Sequence, residues 1–266
     1  MKLGELLLKK VFWFAQANNY NVTYITTYNG QVALIDLLEY YGFVHTATKA
    51  DGESIYEKRF SRGKLQRISA LSDFEVDRLS YPRFITTGIR AFGVPIKEDY
   101  HDTLYPDLKV LPPQADLFDP RGIAGGPKRA GNTIRKVYLC RAQSQLGPSG
   151  SLLFFYKGKS KGAPSQAMTA IGIFEECSIA RSTRELMLLT GGRSVYSEHE
   201  LEQWNAAQRP VKVINYLLAG YIDPVIDIDE LRRTGVVLGH PPQSIYEISS
   251  NNLRKILARV NLGFQA

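Results

Sequence analysis

The sequence predicts a mixed α+β protein, and three observations lead to this class. Fifteen tyrosines and twelve phenylalanines favour sheet-rich structure, because aromatic side chains pack well on a pleated surface. Stretches with helical periodicity also alternate along the chain with stretches of β-branched and aromatic residues. Finally, 44% hydrophobic and 22% charged residues in a chain of 266 are typical of a globular protein, long enough for two ordinary domains or one large one.

Composition and charge disfavour several other classes. The apolar runs are too short to span a bilayer, and Glu5, Lys9 and Lys10 interrupt the first helix, which therefore lacks the shape of a signal peptide. Cys140 and Cys177 stand far apart, which indicates neither a disulfide framework nor a metal site. We expect a cytoplasmic protein in which both cysteines are reduced strand residues.

The first sixty residues predict the order helix, strand, helix, strand, strand. The second helix ends at Gly42, and Asp51–Gly52 is a turn signal between the last two strands. The first helix has an apolar stripe at helical spacing, which consists of Leu3, Leu6, Leu7, Val11 and Phe14. The expected elements are helices over 3–17 and 30–42, and strands over 22–28, 43–48 and 54–60.

The rest of the chain is predicted to be richer in strands. Residues 61–82 form a polar connector that is helical near 71–80, and residues 112–132 form a long loop rich in glycine and proline. Ser197 and Glu200 have the spacing of a capping box. Strands are expected from Ala91 (before a proline-punctuated loop) and over 133–142, 150–158, 166–180, 211–226 and 243–249, with helices over 182–190, 197–204, 227–235 and 250–260. This order suits a small mixed barrel with inserted helices.

The first segment resembles the C-terminal half of a GNAT-family acyltransferase, the acetyl-CoA-dependent N-acetyltransferase fold. The matching parts are the helix "GELLLKK", the strand "NVTYITTY", the helix "QVALIDLLEYYGF" and the hairpin that ends "IYEKRF". The resemblance covers less than a quarter of the chain. It implies acetyl-CoA as cofactor and transfer of an acyl group to an amine, performed by a partial α/β half-domain over residues 1–60.

The resemblance also implies where the cofactor would bind. The family holds the cofactor pyrophosphate at a glycine-rich loop before a helix, where backbone N–H groups and the helix dipole favour phosphate. Gly4 matches the last small residue of that loop, whereas Lys2 replaces an earlier glycine. Tyr24, Ile25 and Thr26 would line the acyl and pantetheine slot. We therefore expect either a fragment of a longer acyltransferase, which is the preferred explanation, or a degenerate half-domain that supports the second domain.

The family's catalytic positions are not matched. Its common Asn falls at Gln31, and the tyrosine that often protonates the leaving thiolate falls at Leu38, which cannot donate a proton. Tyr40 and Tyr41 point elsewhere around the helix and are expected to pack in the core or at the helix end. No catalytic residue can be assigned, and the chain is expected to be catalytically impaired.

A basic segment lies in the middle of the chain. The protein has a net charge of +7 and a pI near 9.3, and residues 128–162 contain eight basic and no acidic residues. Such a segment indicates a polyanionic partner, although a solvated basic face on ordinary strands remains the alternative. The eight residues are Lys128, Arg129, Arg135, Lys136, Arg141, Lys157, Lys159 and Lys161.

From about Tyr81 onward the chain resembles a PUA-related domain of the ASCH or EVE type. The residues that suggest it are "IRKVYLCRAQSQLGPSGSLLFFYKGKSKG", "TAIGIFEEC" and "HPPQSIYEIS". The resemblance implies a small pseudo-barrel over residues 83–266 that binds RNA, with residues 61–82 as connector and tRNA or another structured RNA as partner. Phosphates would be bound by Arg135, Lys136, Arg141, Lys157, Lys159 and Lys161, and Tyr156 would stack on an unpaired base as an exposed side chain.

The histidines give no strong signal for a metal or catalytic site. His101 stands among carboxylates, yet no second histidine or cysteine has ligand spacing, so we expect a satisfied loop histidine and no metal. His240 could border the ligand cleft of the PUA-like unit. The leading hypothesis is an acyltransferase half-domain joined to an RNA-binding domain. The alternative is a non-enzymatic RNA-binding or regulatory module, for example of a toxin–antitoxin or defence locus.

Overall fold

The computed structural model describes residues 2–108, 133–161, 164–191, 193–194, 196–206 and 210–260. Within them the protein is a mixed α+β structure with two sheets, which confirms the predicted class. The predicted loop over 112–132, with Lys128 and Arg129, lies outside the described residues. None of the described helices is long and apolar enough to cross a membrane.

The first unit is a three-stranded antiparallel sheet with two helices, in the predicted order. Its strand order is β1-β3-β2, and the Asp51–Gly52 turn forms as expected, with the Glu53 backbone N–H donating to Asp51 Oδ1 at 3.0 Å and Gly52 at φ +85°. The elements are α1 (Lys2–Ala17), β1 (Val22–Tyr28), α2 (Val32–Tyr40), β2 (Val44–Thr48) and β3 (Glu53–Arg59).

The second unit is a six-stranded sheet with helices between its strands. Its order is β5-β8-β7-β6-β4-β9, in which only the β4–β6 pair is parallel. The strands are β4 (Ala91–Ile96), β5 (Arg135–Cys140), β6 (Leu152–Lys157), β7 (Ala167–Ala180), β8 (Val211–Asp227) and β9 (Tyr246–Ile248). The helices are α3 (Asp73–Ser80), α4 (Glu98–Leu104), α5 (Thr183–Thr190), α6 (Glu198–Ala206), α7 (Ile228–Arg233) and α8 (Ser250–Leu257), with a 3₁₀ turn over Pro106–Leu108.

The six-stranded sheet is strongly curved. The β7–β8 register shifts at three places, and such bulges bend strands and increase their twist. Gly172 permits the close approach this requires, because a Cβ there would lie 2.6 Å from the Tyr216 ring. The Tyr138 hydroxyl of β5 donates to the Pro95 carbonyl of β4 at 2.9 Å, although these strands are first and fifth in the sheet. The sheet therefore curls towards a barrel.

One of the apolar core clusters of the described residues joins the two units. The Phe12 ring of α1 lies with its centroid 5.9 Å from that of Tyr41 and 5.2 Å from that of Tyr81, and the same cluster continues to Phe154 of β6 and Leu217 of β8. The proposed boundary between residues 1–60 and 83–266 remains a prediction, but the packing crosses it. Tyr41 is fully buried, in keeping with its expected packing role.

Two local expectations were wrong. The stretch after β4 is not a loop, because Glu98–Leu104 forms α4. The apolar stripe of α1 is also not its buried face: Leu3, Leu7 and Phe14 are 68%, 58% and 62% exposed, whereas Glu5, Leu8, Lys9 and Phe12 are buried. The physical reason is that the two charged residues find partners from the second unit.

Candidate functional site

A cleft of about 880 Å³ opens at the curled sheet. Its walls come from the ends of β4 and β5, the turn between β6 and β7, and the 241–245 segment that precedes β9. Half-buried Tyr100 and Tyr138 offer ring surface to it, and the buried Tyr196 supports Tyr100, with ring centroids 4.4 Å apart. We call this site the tyrosine cleft. Its volume falls in the range of roughly 300–1,000 Å³ that is usual for small-molecule sites.

Three exposed cations stand at the tyrosine cleft. Lys97 follows β4, Arg141 follows β5, and Lys159 lies in the turn after β6. Glu98 is the only Asp or Glu among the described residues that line it. The local charge is therefore positive, and the low-dielectric walls of the cleft focus the electric field of these cations. An anion with a flat apolar part suits such a surface, because the cations attract the charge and the tyrosine rings offer a stacking face.

The cleft has no evident activated nucleophile among its described residues. Burial raises the pKa of the Cys140 thiol, which therefore stays protonated near neutral pH, and burial also raises the pKa of Tyr138. The neutral Tyr138 hydroxyl is engaged with the Pro95 carbonyl. The arrangement is consequently suited to binding rather than to nucleophilic chemistry.

The predicted nucleic-acid residues divide into three groups: three exposed ones at or near the cleft, one directed towards the first unit, and three that are buried. Arg141 and Lys159 line the tyrosine cleft, and Lys161 is exposed in the same turn region. Arg135, at the other end of β5, is half-buried and points to the first unit: its Nε lies 3.2 Å from Glu5 Oε1, and its guanidinium lies over the Tyr40 ring. Arg135, which was predicted to bind RNA, therefore lies at the end of β5 opposite the one that forms the cleft wall.

The expected exposure of two lysines has to be corrected. Lys136 is 1% exposed, burial lowers its pKa, and its Nζ donates to the Leu104 carbonyl at 2.7 Å. Lys157 is 3% exposed and lies 2.9 Å from Asp102 Oδ1. Both find these partners on α4, the helix that the sequence predicted as a loop. A buried lysine side chain requires such a partner, so these lysines hold α4 against the sheet.

Tyr156 is also buried rather than exposed. It is 1% exposed, and although it borders the tyrosine cleft, its side chain belongs to the same core cluster as Phe154 and Met168. The reason is that β6 is covered on both faces: Phe154 and Tyr156 pack in one core cluster and Phe155 in another, and every residue from Leu152 to Lys157 is buried. The alternation expected of a half-exposed strand does not apply there.

Sequence reasoning missed part of the cleft. Lys97 and Tyr100 lie in the stretch taken for a loop, and Tyr196 precedes α6 without any local signal of a site. His240 is exposed and precedes Pro241, which lines the cleft, and its predicted place at the border of a ligand site stays a prediction. The described residues contain no group of three or more His, Cys, Asp or Glu side chains that could hold a metal ion.

The predicted cofactor residues are not gathered into one site. A groove of about 820 Å³ between α1 and β1 includes Tyr24, but Gly4, Ile25 and Thr26 are not among its described lining residues. A Cβ at Gly4 would lie 3.3 Å from Leu37 Cδ2, so its small size is explained by the packing of α1 on α2. The assignments of Gly4 to a pyrophosphate loop and of Tyr24, Ile25 and Thr26 to an acyl and pantetheine slot stay predictions.

Comparisons with known proteins gave the following. No family model matches the chain, and no curated protein matches it. Among solved structures the chain is similar to ASCH from Zymomonas mobilis, with 13% identity and a TM-score of 0.44, and to two mutants of that protein, with 10% and 12% identity and TM-scores of 0.47 and 0.45. Each match covers 64% of this chain and 96% or 99% of the other. A likeness this low carries no conclusion about binding or activity.

Proposed function

We propose that the protein is an RNA-binding module of the PUA-like kind, which receives an unpaired nucleotide in the tyrosine cleft. The observation that carries the proposal is the convergence of Lys97, Arg141 and Lys159 on a cleft with the rings of Tyr100 and Tyr138. Phosphates are bound by exposed Lys and Arg side chains, and unpaired bases stack on aromatic rings. The cleft admits a single base but not a duplex, so single-stranded or looped RNA is the expected ligand.

The test is binding of fluorescent single-stranded RNA, measured by anisotropy over a series of salt concentrations. Each phosphate contact on a single strand contributes about 0.7 to the slope of log K against log salt. The double variant Arg141→Ala/Lys159→Ala is therefore expected to lower the slope by about 1.4 and to weaken binding. A duplex RNA of the same sequence should bind more weakly than the single strand.

The matched control is Arg184→Ala/Arg254→Ala. Both arginines are exposed, and neither is among the described residues that line the cleft, so the variant loses the same charge elsewhere. Its slope should stay close to that of the unmodified protein. An equal fall in slope for both double variants would show that the net charge, and not the cleft, governs binding, and the proposal would then be wrong.

The acyltransferase hypothesis remains a separate prediction. The described residues supply no gathered pyrophosphate site, as the packing of Gly4 against Leu37 illustrates, and Leu38 is fully buried at the position of the family's proton donor. No reaction step is derived through acetyl-CoA. Isothermal titration measures acetyl-CoA binding by this chain directly: tight binding would support a working cofactor site, whereas weak or absent binding is what the expected impairment predicts.

A further inference from the structure

β1 is an edge strand without the usual protection. It pairs with β3 on one side only, in regular register from Val22 to Tyr28, and no described residue pairs with its other side. Exposed edges are normally blunted by charges, proline or bulges, because their unpaired N–H and C=O groups can recruit another strand. The sequence "VTYITTY" has none of these. By contrast β2, at the opposite edge, is shorter and has a bulge between His45 and Ala47.

An uncovered apolar surface continues from this edge. Leu7 and Phe14 of α1 are 58% and 62% exposed, and Tyr24 of β1 is 66% exposed. Phe14 and Tyr24 line the groove of about 820 Å³, which is formed mainly by apolar atoms of α1, Tyr20 and β1. An edge strand beside a contiguous apolar surface is typical of a protein–protein contact.

We propose that a second copy of the chain occupies this edge, with β1 of the two copies paired antiparallel about Ile25. This register would place Val22 opposite Tyr28 of the second copy and Tyr24 opposite Thr26. Aromatic residues opposite β-branched ones stabilise a sheet, and the two three-stranded sheets would become one continuous sheet of six strands. The exposed stripe of α1 would then border the contact on both copies.

Charge favours a second copy as the occupant. Residues 1–60 contain six Lys and Arg residues and six Asp and Glu residues, so the whole net charge of +7 resides in the rest of the chain. Two copies that meet through their neutral first units keep their cationic parts apart. An uncharged strand also pairs with itself without placing like charges opposite one another. The contact lies outside the tyrosine cleft, so the inference does not depend on the proposed function.

The experiment measures the mass of the full chain by sedimentation equilibrium over a range of concentrations. The unmodified protein is expected to shift from 29.9 kDa towards twice that mass. Tyr24→Lys and Tyr24→Glu should each remain monomeric, because residue 24 of one copy lies diagonal to residue 24 of the other and like charges repel. An equimolar mixture of the two variants should recover the dimer, since the diagonal charges then attract.

Leu238→Lys is the control, because Leu238 is 85% exposed and lies outside the first unit. It should dimerise like the unmodified protein. Since Tyr24 is exposed, its variants are expected to fold, and circular dichroism verifies this. A protein that stays monomeric at all concentrations would overturn the proposal, and so would Tyr24→Lys dimers or a mixture that does not recover the dimer.

Discussion

His101 Nε2 lies 2.7 Å from the Oγ1 of Thr169, in the interior between α4 and β7. The other ring nitrogen, Nδ1, lies 2.9 Å from Asp102 Oδ1, and that oxygen is also 2.9 Å from the Lys157 ammonium. Both His101 and Thr169 have no exposed surface, so a substrate could not reach this hydroxyl–imidazole–carboxylate arrangement. The group instead fastens α4 to the sheet, beside the tyrosine cleft.

The first prediction concerns the pH dependence of stability through His101. Burial lowers the pKa of His101 from 6.5 to about 4, so the unfolded chain binds more protons than the folded one between these values. The stabilisation is complete above pH 6.5 and is lost as pH falls towards 4. Between about pH 7.5 and pH 5 this residue should reduce the free energy of unfolding by about 2 kcal/mol.

Urea unfolding at the two pH values measures this effect. His101→Gln, which does not titrate, should show a pH dependence that is smaller by that amount, whereas His199→Gln, at an exposed position, should keep the original dependence. Equal pH dependences for the unmodified protein and His101→Gln would contradict the prediction.

The second prediction has the opposite sign and concerns Asp77. Its Oδ1 accepts from the Ile85 backbone N–H at 2.7 Å, its Oδ2 has no hydrogen-bond partner among the described residues, and burial raises its pKa to about 8. The folded state therefore holds the proton more tightly than the unfolded state, and stability is lost as pH rises from 3.8 towards 8.

Asp77→Asn cannot ionise and should therefore become relatively more stable at alkaline pH. From about pH 5 to pH 8.5 its advantage in the free energy of unfolding should grow on the order of 4 kcal/mol, as measured by urea titration. Asp36→Asn, at an exposed site, is the matched control. A constant difference between Asp77→Asn and the unmodified protein would refute the assignment.

The third prediction concerns cooperativity between the two units through Glu5. This buried carboxylate accepts from the Tyr41 hydroxyl at 2.8 Å and from the Arg135 backbone N–H at 2.7 Å. Glu5 therefore connects α1 with Tyr41 in the first unit and with β5 in the second unit. Glu5→Gln should lower stability by about 2–4 kcal/mol, because it removes a buried negative charge that faces the half-buried Arg135 guanidinium and weakens the hydrogen bonds to Glu5. The protein should still unfold in one transition.

Tryptophan fluorescence and far-ultraviolet circular dichroism should therefore give coincident unfolding curves for both proteins, shifted together in Glu5→Gln. Glu39→Gln, exposed on α2, should cause little change. Two separated transitions, of which only one moves in Glu5→Gln, would instead support independent domains at the predicted boundary.

The fourth prediction concerns the contact that holds β9 on β4. Gly93 pairs with Tyr246, and a Cβ at residue 93 would lie 2.2 Å from Tyr246 Cζ. Gly93→Ala should therefore displace β9 and lower stability by about 1–3 kcal/mol, and it should weaken RNA binding because the adjacent 241–245 segment lines the cleft.

The steric origin is tested by a double-mutant cycle with Tyr246→Val, in which the cost of Gly93→Ala should shrink. Gly220→Ala is the control, because a Cβ there meets no atom within 4 Å. If Gly93→Ala were as well tolerated as Gly220→Ala, the close approach of the Tyr246 ring would not be needed for the fold.

Turn and capping signals in the sequence were reliable, in contrast to the apolar stripe of α1. The Asp51–Gly52 turn and the Ser197–Glu200 capping box, in which the Ser197 backbone N–H donates to Glu200 at 2.8 Å, depend on neighbouring residues alone. α4 was missed because its N-cap residue, Lys97, makes no side-chain cap hydrogen bond. That helix is stabilised by contacts with distant strands, which no local pattern contains.

The lack of long-range contacts in local patterns also explains why only part of the candidate site could be predicted. Arg141 and Lys159 could be placed near a ligand from the basic segment, since they follow the ends of two strands. Whether Lys136 and Lys157 were exposed depended on the Leu104 carbonyl and the Asp102 carboxylate, which lie 32 and 55 positions earlier in the chain. In α1, Lys9 is likewise buried because Asp107 lies 2.7 Å away.

The hydrogen bond from Tyr138 to Pro95 connects two strands that are not neighbours in the sheet. It limits the width of the cleft floor, because widening the floor would break the bond. The side chains of Lys97, Arg141 and Lys159 are exposed at the edge of the cleft. The floor of the cleft would then select ligands by their shape, and the exposed side chains at its edge would select them by their charge.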